Sequence, residues 1–374
     1  MSWFQKLLGK ADKPLPLNNQ LLQALYRFVG SNTPVTMGQN LDEFIDKAYK
    51  YNHYVYSVIN LITSHAAYVP LRIYDVKDEK AFKSCQVWST EAKLHDPIKY
   101  RKLLSKSVDE IEEGKIIEVL KRPNPWTTLN DFVQQAIGFK LITGNTYVYG
   151  IGPEAGANAG QIHEMYFMPP TETEIIIGGP FNPVAGYRVS WIGFEDIAAE
   201  KVLHLKNWNP SYSQTGEHLY GLSPIQVGTR AILNSNNANI AQNSLMSNVG
   251  AVGILSDENA NLTPEQLQQI ERKLKRKSGP NNYGELAAVG TKVTWQAIGM
   301  SPVDLNIIEA QKMSMRDIST LFHVNSALLN DPDNKTYNNL IEAKKALYTN
   351  AVIPQLDALK DGLNHWYCPK FTDR

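Results

Sequence analysis

Few side chains in this chain could do chemistry, and their spacing limits what they can do. Asp331 and Asp333 flank Pro332 in the stretch FHVNSALLNDPDNKTYN, residues 322–338. Two carboxylates so close could hold a divalent cation, which takes oxygen ligands. Beside a proline and among asparagines, however, they are turn formers: the Asx side chain bonds its own backbone and proline presets φ. Turn chemistry is the reading carried forward. His163-Glu164 begins like a zinc-protease motif but lacks the second histidine, and the eight histidines are scattered. There is no GxxxxGK[ST], GxSxG or HExxH. The expectation is therefore no catalytic residue, no metal and no cofactor. One dense cationic cluster exists, ERKLKRK at 271–277, with Arg272, Lys273, Lys275, Arg276 and Lys277. Residues four apart share a helix face, so it is either a solvated face or a docking surface.

The elements that would position these residues can be read from periodicity. Residues 17–30 and 40–67 have helical spacing, and LRIYDV (71–76) alternates like a strand. A helix is predicted over 98–121 and another from Asn130 to Thr143, stopped by Gly144-Asn145. Strands follow at 146–151, 173–178, 185–193 and 201–206. Residues 17–221 thus form a mixed α+β body after a short arm at 1–16. A long helix is predicted over 222–248, with Ser223 as cap and Pro224 in its first turn. Its middle is rich in Asn and Ser and poor in bulky residues, so Ala238 and Ala241 are expected to meet other copies of the chain. A compact α/β insert fills 249–301, with strands predicted at AVGILS, GELAAV and KVTWQAI and a helix opened by a capping box at Thr263–Gln266. A second helix spans 302–322, where Leu305, Ile308 and Met315 fall on an apolar stripe that Lys312 interrupts and are expected, like Ala238 and Ala241, to meet other copies of the chain. After the polar stretch 323–338 a third helix runs through 339–374, with a kink expected at Pro354.

Composition bounds the rest. At 43% hydrophobic and 20% charged, 374 residues suffice for more than one domain with a large core. Lys plus Arg equals Asp plus Glu, 37 each. A tight nucleic-acid binder usually shows a basic excess, so any DNA contact should be weak or local. Cys85 and Cys368 lie far apart and fit no metal spacing or disulfide framework; a reducing cytoplasm suits them. The start, MSWFQKLLGKADKPLPL, has too short an apolar run for a signal peptide. No stretch reaches the ~18 apolar residues of a membrane span. A metal-dependent DNA-processing enzyme would need clustered carboxylates, and a DNA-binding module is opposed by the zero net charge.

An ordered set of motifs carries a resemblance. RPNPWTTLNDF (122–132), TGNTYVYG (143–150), YGLSPI (220–225), IGMSPVDLNIIEAQKMSMRDISTLFHV (298–324) and TYNNLIEAKKALYTNAVIPQLDALKDGLN (336–364) resemble, in this order, the portal protein family of tailed bacteriophages, in the branch of long-tailed phages and their prophages. YVYSVINLITSHAAYVPLRIYDV (54–76) fits as well. The likeness covers about residues 40–366. It implies a ring-shaped head-tail connector, usually of twelve subunits, at one capsid vertex. The terminase large subunit docks there, double-stranded DNA passes without sequence specificity, and a head-tail adaptor later replaces the motor. Capsid and scaffold proteins are the other partners implied, and no membrane is involved. The place is the virion, with assembly in the host cytoplasm. A domesticated prophage or gene-transfer particle would use the same fold.

Mapped onto this chain, the resemblance makes 17–221 the wing, 222–248 and 302–322 the two stem helices, and 249–301 the clip. Residues 323–338 become a tunnel loop and 339–374 a kinked helix returning to the wing. The chain ends at CPKFTDR, soon after that helix, so a crown is absent or has been truncated. Asn325-Ser326 stand where members often carry two prolines. The loop residues Asn325, Ser326, Asn330, Asp331, Asp333, Asn334 and Lys335 are expected at the DNA channel. Their two aspartates and one lysine give a net charge of minus one. Each phosphate neutralised by a cation adds binding and salt dependence, so such a surface should let a duplex slide.

Overall fold

The computed structural model describes residues 46–87, 95–179, 181–189, 196–212, 216–247, 253–257, 263, 265–266, 268–269, 272, 293–297, 307–334 and 337–371. These group into two compact units. One holds Thr63–Ser223 with Gln355–Arg374, the other Phe44–Ile62 with Pro224–Pro354.

The first unit is α+β. Strands β1 (Ile73–Val76) and β2 (Val108–Ile111) form an antiparallel pair. The expected single helix over 98–121 is therefore wrong. Pro97–Ser107 and Lys115–Lys121 are helical, and Val108–Ile111 pairs with β1 between them. Val108 buries its side chain there, a tertiary gain that local periodicity does not report. Strand β3 (Asn145–Ile151) is central in the order β4-β3-β8, between β4 (Glu164–Met168) and β8 (Val202–Lys206). The sequence reading missed β4, which holds Glu164 of the apparent zinc motif. A second sheet joins β5 (Thr173–Gly179), β6 (Asn182–Val189) and β7 (Ile197–Ala198). Tyr147, Met168, Ile175, Tyr187, Val189, Val202 and Leu219 form one buried cluster. The Leu129–Thr143 helix opens with a reciprocal Thr128/Asp131 capping box and ends at Gly144 in the left-handed region.

Two motifs distant in sequence lock together at that helix end. Asn145 is buried. Its Oδ1 accepts from the Gly221 N–H at 2.6 Å, and its Nδ2 donates to the Thr143 and Gly221 carbonyls at 3.1 and 3.2 Å. Ser223 Oγ donates to the Ile142 carbonyl at 2.5 Å, and the Asn207 N–H to the Gly144 carbonyl at 2.9 Å. Gly144 takes φ +79°, and a Cβ there would meet the Leu222 backbone at 2.6 Å. A Cβ on Gly221 would run into the Gly144 carbonyl. Both positions require glycine, because the two backbones touch. His204 sits across from Tyr147 in the β3–β8 register, stacks on its ring at 4.4 Å, and contacts Asn145 Oδ1 through Nε2 at 3.1 Å. Burial, with the nearby Lys206 adding to it, pushes the His204 imidazole down to about 3, so it is neutral. The chain's last elements belong to this unit too. Trp366 Nε1 donates to the Glu200 carbonyl at 2.9 Å and Tyr367 Oη to the Ile116 carbonyl at 2.7 Å.

The second unit is built on helices. Pro224–Val227 and Thr229–Ser247 replace the single helix expected over 222–248. Ile307–Leu321 is the described part of the one expected over 302–322. Gln311 Nε2 bridges Asn239 Oδ1 and Gln242 Oε1 at 2.9 and 2.8 Å, a polar link between these helices. Asn52 caps the following helix through the Tyr54 and Val55 N–H groups and donates to Asn236 Oδ1 at 2.9 Å. From the insert 249–301, β9 (Gly253–Asp257) and β10 (Val293–Ala297) are described as an antiparallel pair, and Thr263 and Gln266 make the expected reciprocal cap bonds. The strand expected at GELAAV lies outside the described residues. The last helical stretch has α-helical turns over Tyr337–Ala346 and Ile353–Trp366, separated by a π-helical segment, Leu347–Val352. Pro354 lacks an N–H and its ring crowds the preceding turn, and the wider turn ahead of it accommodates both effects.

Candidate functional site

The stretch that opened the sequence reading folds tightly, starting from the helix before it. Ile307–Leu321 ends in a Schellman motif: Val324 N–H bonds the Ser319 carbonyl at 2.9 Å and His323 N–H the Thr320 carbonyl at 3.1 Å. The residue in the left-handed position, normally glycine, is His323 with φ 57°. Asn325 then caps a one-turn helix, Ser326–Leu329, by accepting from Ala327 N–H at 2.9 Å; its Oδ1 also takes Asn334 Nδ2 at 3.4 Å. Asn330 closes that turn at φ 63°, and Pro332–Asn334 forms another. The polar loop is thus two short helical turns separated by an asparagine suited to the left-handed region.

Charge fixes the loop against the helix. Asp331 is fully buried, at 0% exposure. Arg316 grips it in a fork, Nε to Oδ2 at 2.8 Å and Nη2 to Oδ1 at 2.9 Å. Ser326 Oγ donates to Oδ2 at 2.8 Å and the Asp333 N–H to Oδ1 at 3.2 Å. A buried carboxylate is tolerated only when paired and hydrogen-bonded, and these four donors meet that condition. Asp333, half exposed, takes Arg316 Nη2 at 2.7 Å and Lys312 Nζ at 3.3 Å. Lys312 also reaches Glu309 at 3.2 Å. The Arg316 guanidinium, helped by Ser326, holds the Asp331 carboxyl far below the usual carboxylate range; Arg316 first and Lys312 second lower Asp333.

This arrangement excludes a metal role for Asp331 and Asp333, since a guanidinium and an ammonium already occupy them. Among the described residues no three His, Cys, Asp or Glu side chains are grouped to hold an ion. A cavity of about 450 Å³ adjoins the clamp, lined by Arg316, Asp331 and Asp333 with Ser319, Thr320, Val324, Asn325, Ser326 and Asn334.

The expected site residues distribute as follows. Asn325, Ser326, Asp331, Asp333 and Asn334 come together here. Asp331, expected on a channel surface, is instead a buried anchor. Lys335 lies outside the described residues, as do Lys273, Lys275, Arg276, Lys277 and Leu305. Arg272 is exposed and donates to Gln268 at 3.4 Å. Ala238 and Ala241 are half-buried on the Thr229–Ser247 helix, and Ile308 lies on Ile307–Leu321. Met315 is 4% exposed, packed inside its own chain and so not available to another copy. Arg316 was missed. The signal was present in Lys312, which breaks the apolar stripe and has Arg316 one turn away on the same face.

The family description "Phage portal protein" matches residues 92–374. An uncharacterised protein of Rickettsia bellii (strain RML369-C) is 27% identical over 374 residues, covering 93% of this chain and 85% of its own length. One from Rickettsia felis (strain ATCC VR-1525 / URRWXCal2) is 29% identical over 339 residues, covering 87% and 77%. Among solved structures, the neck of an empty gene transfer agent particle, computed with C6 symmetry, superposes with a TM-score of 0.60 at 21% identity, covering 93% of this chain and 86% of that one. The neck of the native particle, computed with C12 symmetry, gives 0.57 at 21% identity, covering 92% and 84%. The crystal structure of an HK97 family phage portal protein from Corynebacterium diphtheriae gives 0.53 at 15% identity, covering 83% and 86%. These likenesses establish the fold.

Proposed function

This chain belongs to the phage portal protein family, whose members are structural and not enzymatic, and from that premise we propose that it assembles into a closed homo-oligomeric ring that serves as the DNA conduit of a phage or phage-like particle. The Arg316 clamp is the observation that carries the conduit role. It ties the loop's acidic residues to cations of the same chain, so the loop turns no unpaired charge from this cluster toward a duplex, and passage stays weakly dependent on salt. The C6 and C12 symmetries of the related necks support a ring, and a heterologous, closing contact between copies would build it. The Thr229–Ser247 helix supports it too: it buries Ile232 and Ser235 but leaves Leu233 and Ile240 exposed. The terminase large subunit, head-tail adaptor and capsid or scaffold protein are the partners, with Arg272, Lys273, Lys275, Arg276 and Lys277 of the insert as the docking surface. The particle is that of a phage, or a gene-transfer particle like those of the related necks; the latter origin is favoured by two of the superpositions.

Replacing Ala238 and Ala241 together with Glu tests the ring. Mass photometry of the purified chain should show large oligomers that this double variant reduces to small species. Oligomers that persist unchanged would remove this helix from the subunit contact. A wild-type chain that stays monomeric at high concentration would overturn the ring itself. Reversing the charge of the basic cluster should weaken terminase binding without changing oligomer size; unaltered docking would return the cluster to a solvated face.

A further inference from the structure

We propose that Asp333 is a masking carboxylate, which bridges Lys312 to the Arg316 that Asp331 already holds and keeps Lys312 from pairing with the phosphates of a polyanion. The inference rests on the conduit reading above, in which the loop borders DNA.

The geometry separates Asp333 from Asp331. Asp331 is buried, holds the guanidinium in a fork and ties two turns of the loop together; its role is to build the loop. Asp333 is 51% exposed and bridges the two cations from the solvent side of the cluster. An ion pair this exposed stabilises a fold very little, so stability does not account for it. The cations themselves are well placed for a phosphate. Lys312 and Arg316 lie one turn apart on one helix face, and the cavity with its Ser and Thr hydroxyls adjoins Arg316. Glu309, Asp331 and Asp333 against Lys312 and Arg316 leave the cluster at net minus one, which repels an anion. Without Asp333 the cluster is neutral, and Lys312 keeps only Glu309, an i,i+3 contact of two partly exposed groups. Multiplied around a ring, that change would turn a passive collar into a brake.

Four versions of the full chain test this: wild type, Asp333→Asn, Asp333→Glu, and Asp333→Asn combined with Lys312→Gln. Two probes are titrated: inorganic pyrophosphate by calorimetry, and a short duplex DNA by fluorescence anisotropy. For Asp333→Asn the expected gain is about threefold or more in affinity for both probes at ~50 mM salt, lost by ~200 mM, as one new phosphate contact requires. Asp333→Glu should match wild type, and the added Lys312→Gln should cancel the gain. Circular dichroism and oligomer size establish that each variant is folded, with Asp333→Ser as a second neutral replacement. If both neutral variants bind both probes as wild type does, the masking role is overturned. If they gain affinity for pyrophosphate but not for duplex, masking is upheld and the reading that the loop meets DNA is overturned.

Discussion

The Asn145 lock in the first unit and the Arg316 clamp in the second solve the same problem with opposite chemistry. Each fixes a turn at a helix end to a distant piece of chain. The lock is neutral: an amide side chain, three backbone groups and two glycines that let backbones touch. The clamp is ionic: a guanidinium and an ammonium against three carboxylates. Neutral bonds in a dry place are unaffected by salt, whereas charges near water are screened over about 3 Å at 1 M salt. A permanent joint suits a scaffold. A charge-based joint keeps the cations of a surface occupied while leaving it adjustable.

Breaking the lock should have the larger effect. Asn145→Ala leaves the Gly221 N–H and two carbonyls buried without partners, at a cost on the order of 3 kcal/mol or more, each orphaned group contributing roughly 1–3. Thermal unfolding of the variant measures it, and a loss below about 1 kcal/mol would mean that water replaces the amide. Asp331→Asn keeps the shape but removes the charge from the clamp. The expected cost is about 1–3 kcal/mol, as for a hydrogen bond to a charged group, with faster amide exchange over 325–334 and none at 143–147.

Acid should separate the two regions by the pH at which they loosen. His204 is neutral when folded, with its pKa lowered to about 3, while an unfolded histidine takes a proton near 6.5. The unfolded chain therefore binds more protons between those values. The lock's stability is full above about 6.5 and falls as pH drops toward 3. Asp331 and Asp333 are also lowered, from an unfolded value near 3.9. Their contribution is present above about 3.9 and is lost only below it. Amide exchange at pH 5 should thus show β3 and β8 loosening while 325–334 keeps its protection, and His204→Gln should flatten the first change. High salt should do the reverse, loosening 325–334 and sparing the lock. The smallest effect concerns the clamp's entry. His323→Gly relieves a side chain in the left-handed region and should raise stability by about 0.5–1 kcal/mol, read from the unfolding midpoint.

The lock was the more legible of the two in the sequence. Gly144-Asn145 announced a helix stop, and β3 and β8 were found from the strand-like runs at 146–151 and 201–206. What could not be read was that Gly221 lies against Gly144, because that contact joins residues 77 positions apart. Strand β2 was hidden inside a helical pattern, since only its partner β1 makes it a strand. The clamp was misread in a telling way. Asp331 looked like a solvated turn residue because turn chemistry is local, and its burial depends on Arg316, fifteen positions earlier. Lys312 in an apolar stripe was the clue that a charged partner lay nearby. The portal resemblance supplied the order of elements; which carboxylate is buried depends on the contact between Asp331 and Arg316.

The most direct test is a cryo-electron microscopy map of the assembled full-length chain. The expected result is a closed ring with residues 325–334 at the narrowest part of its central hole and the Arg316–Asp331 fork intact in every subunit. A ring whose hole is lined by other residues, or a loop released from Arg316 in the resting assembly, would contradict it.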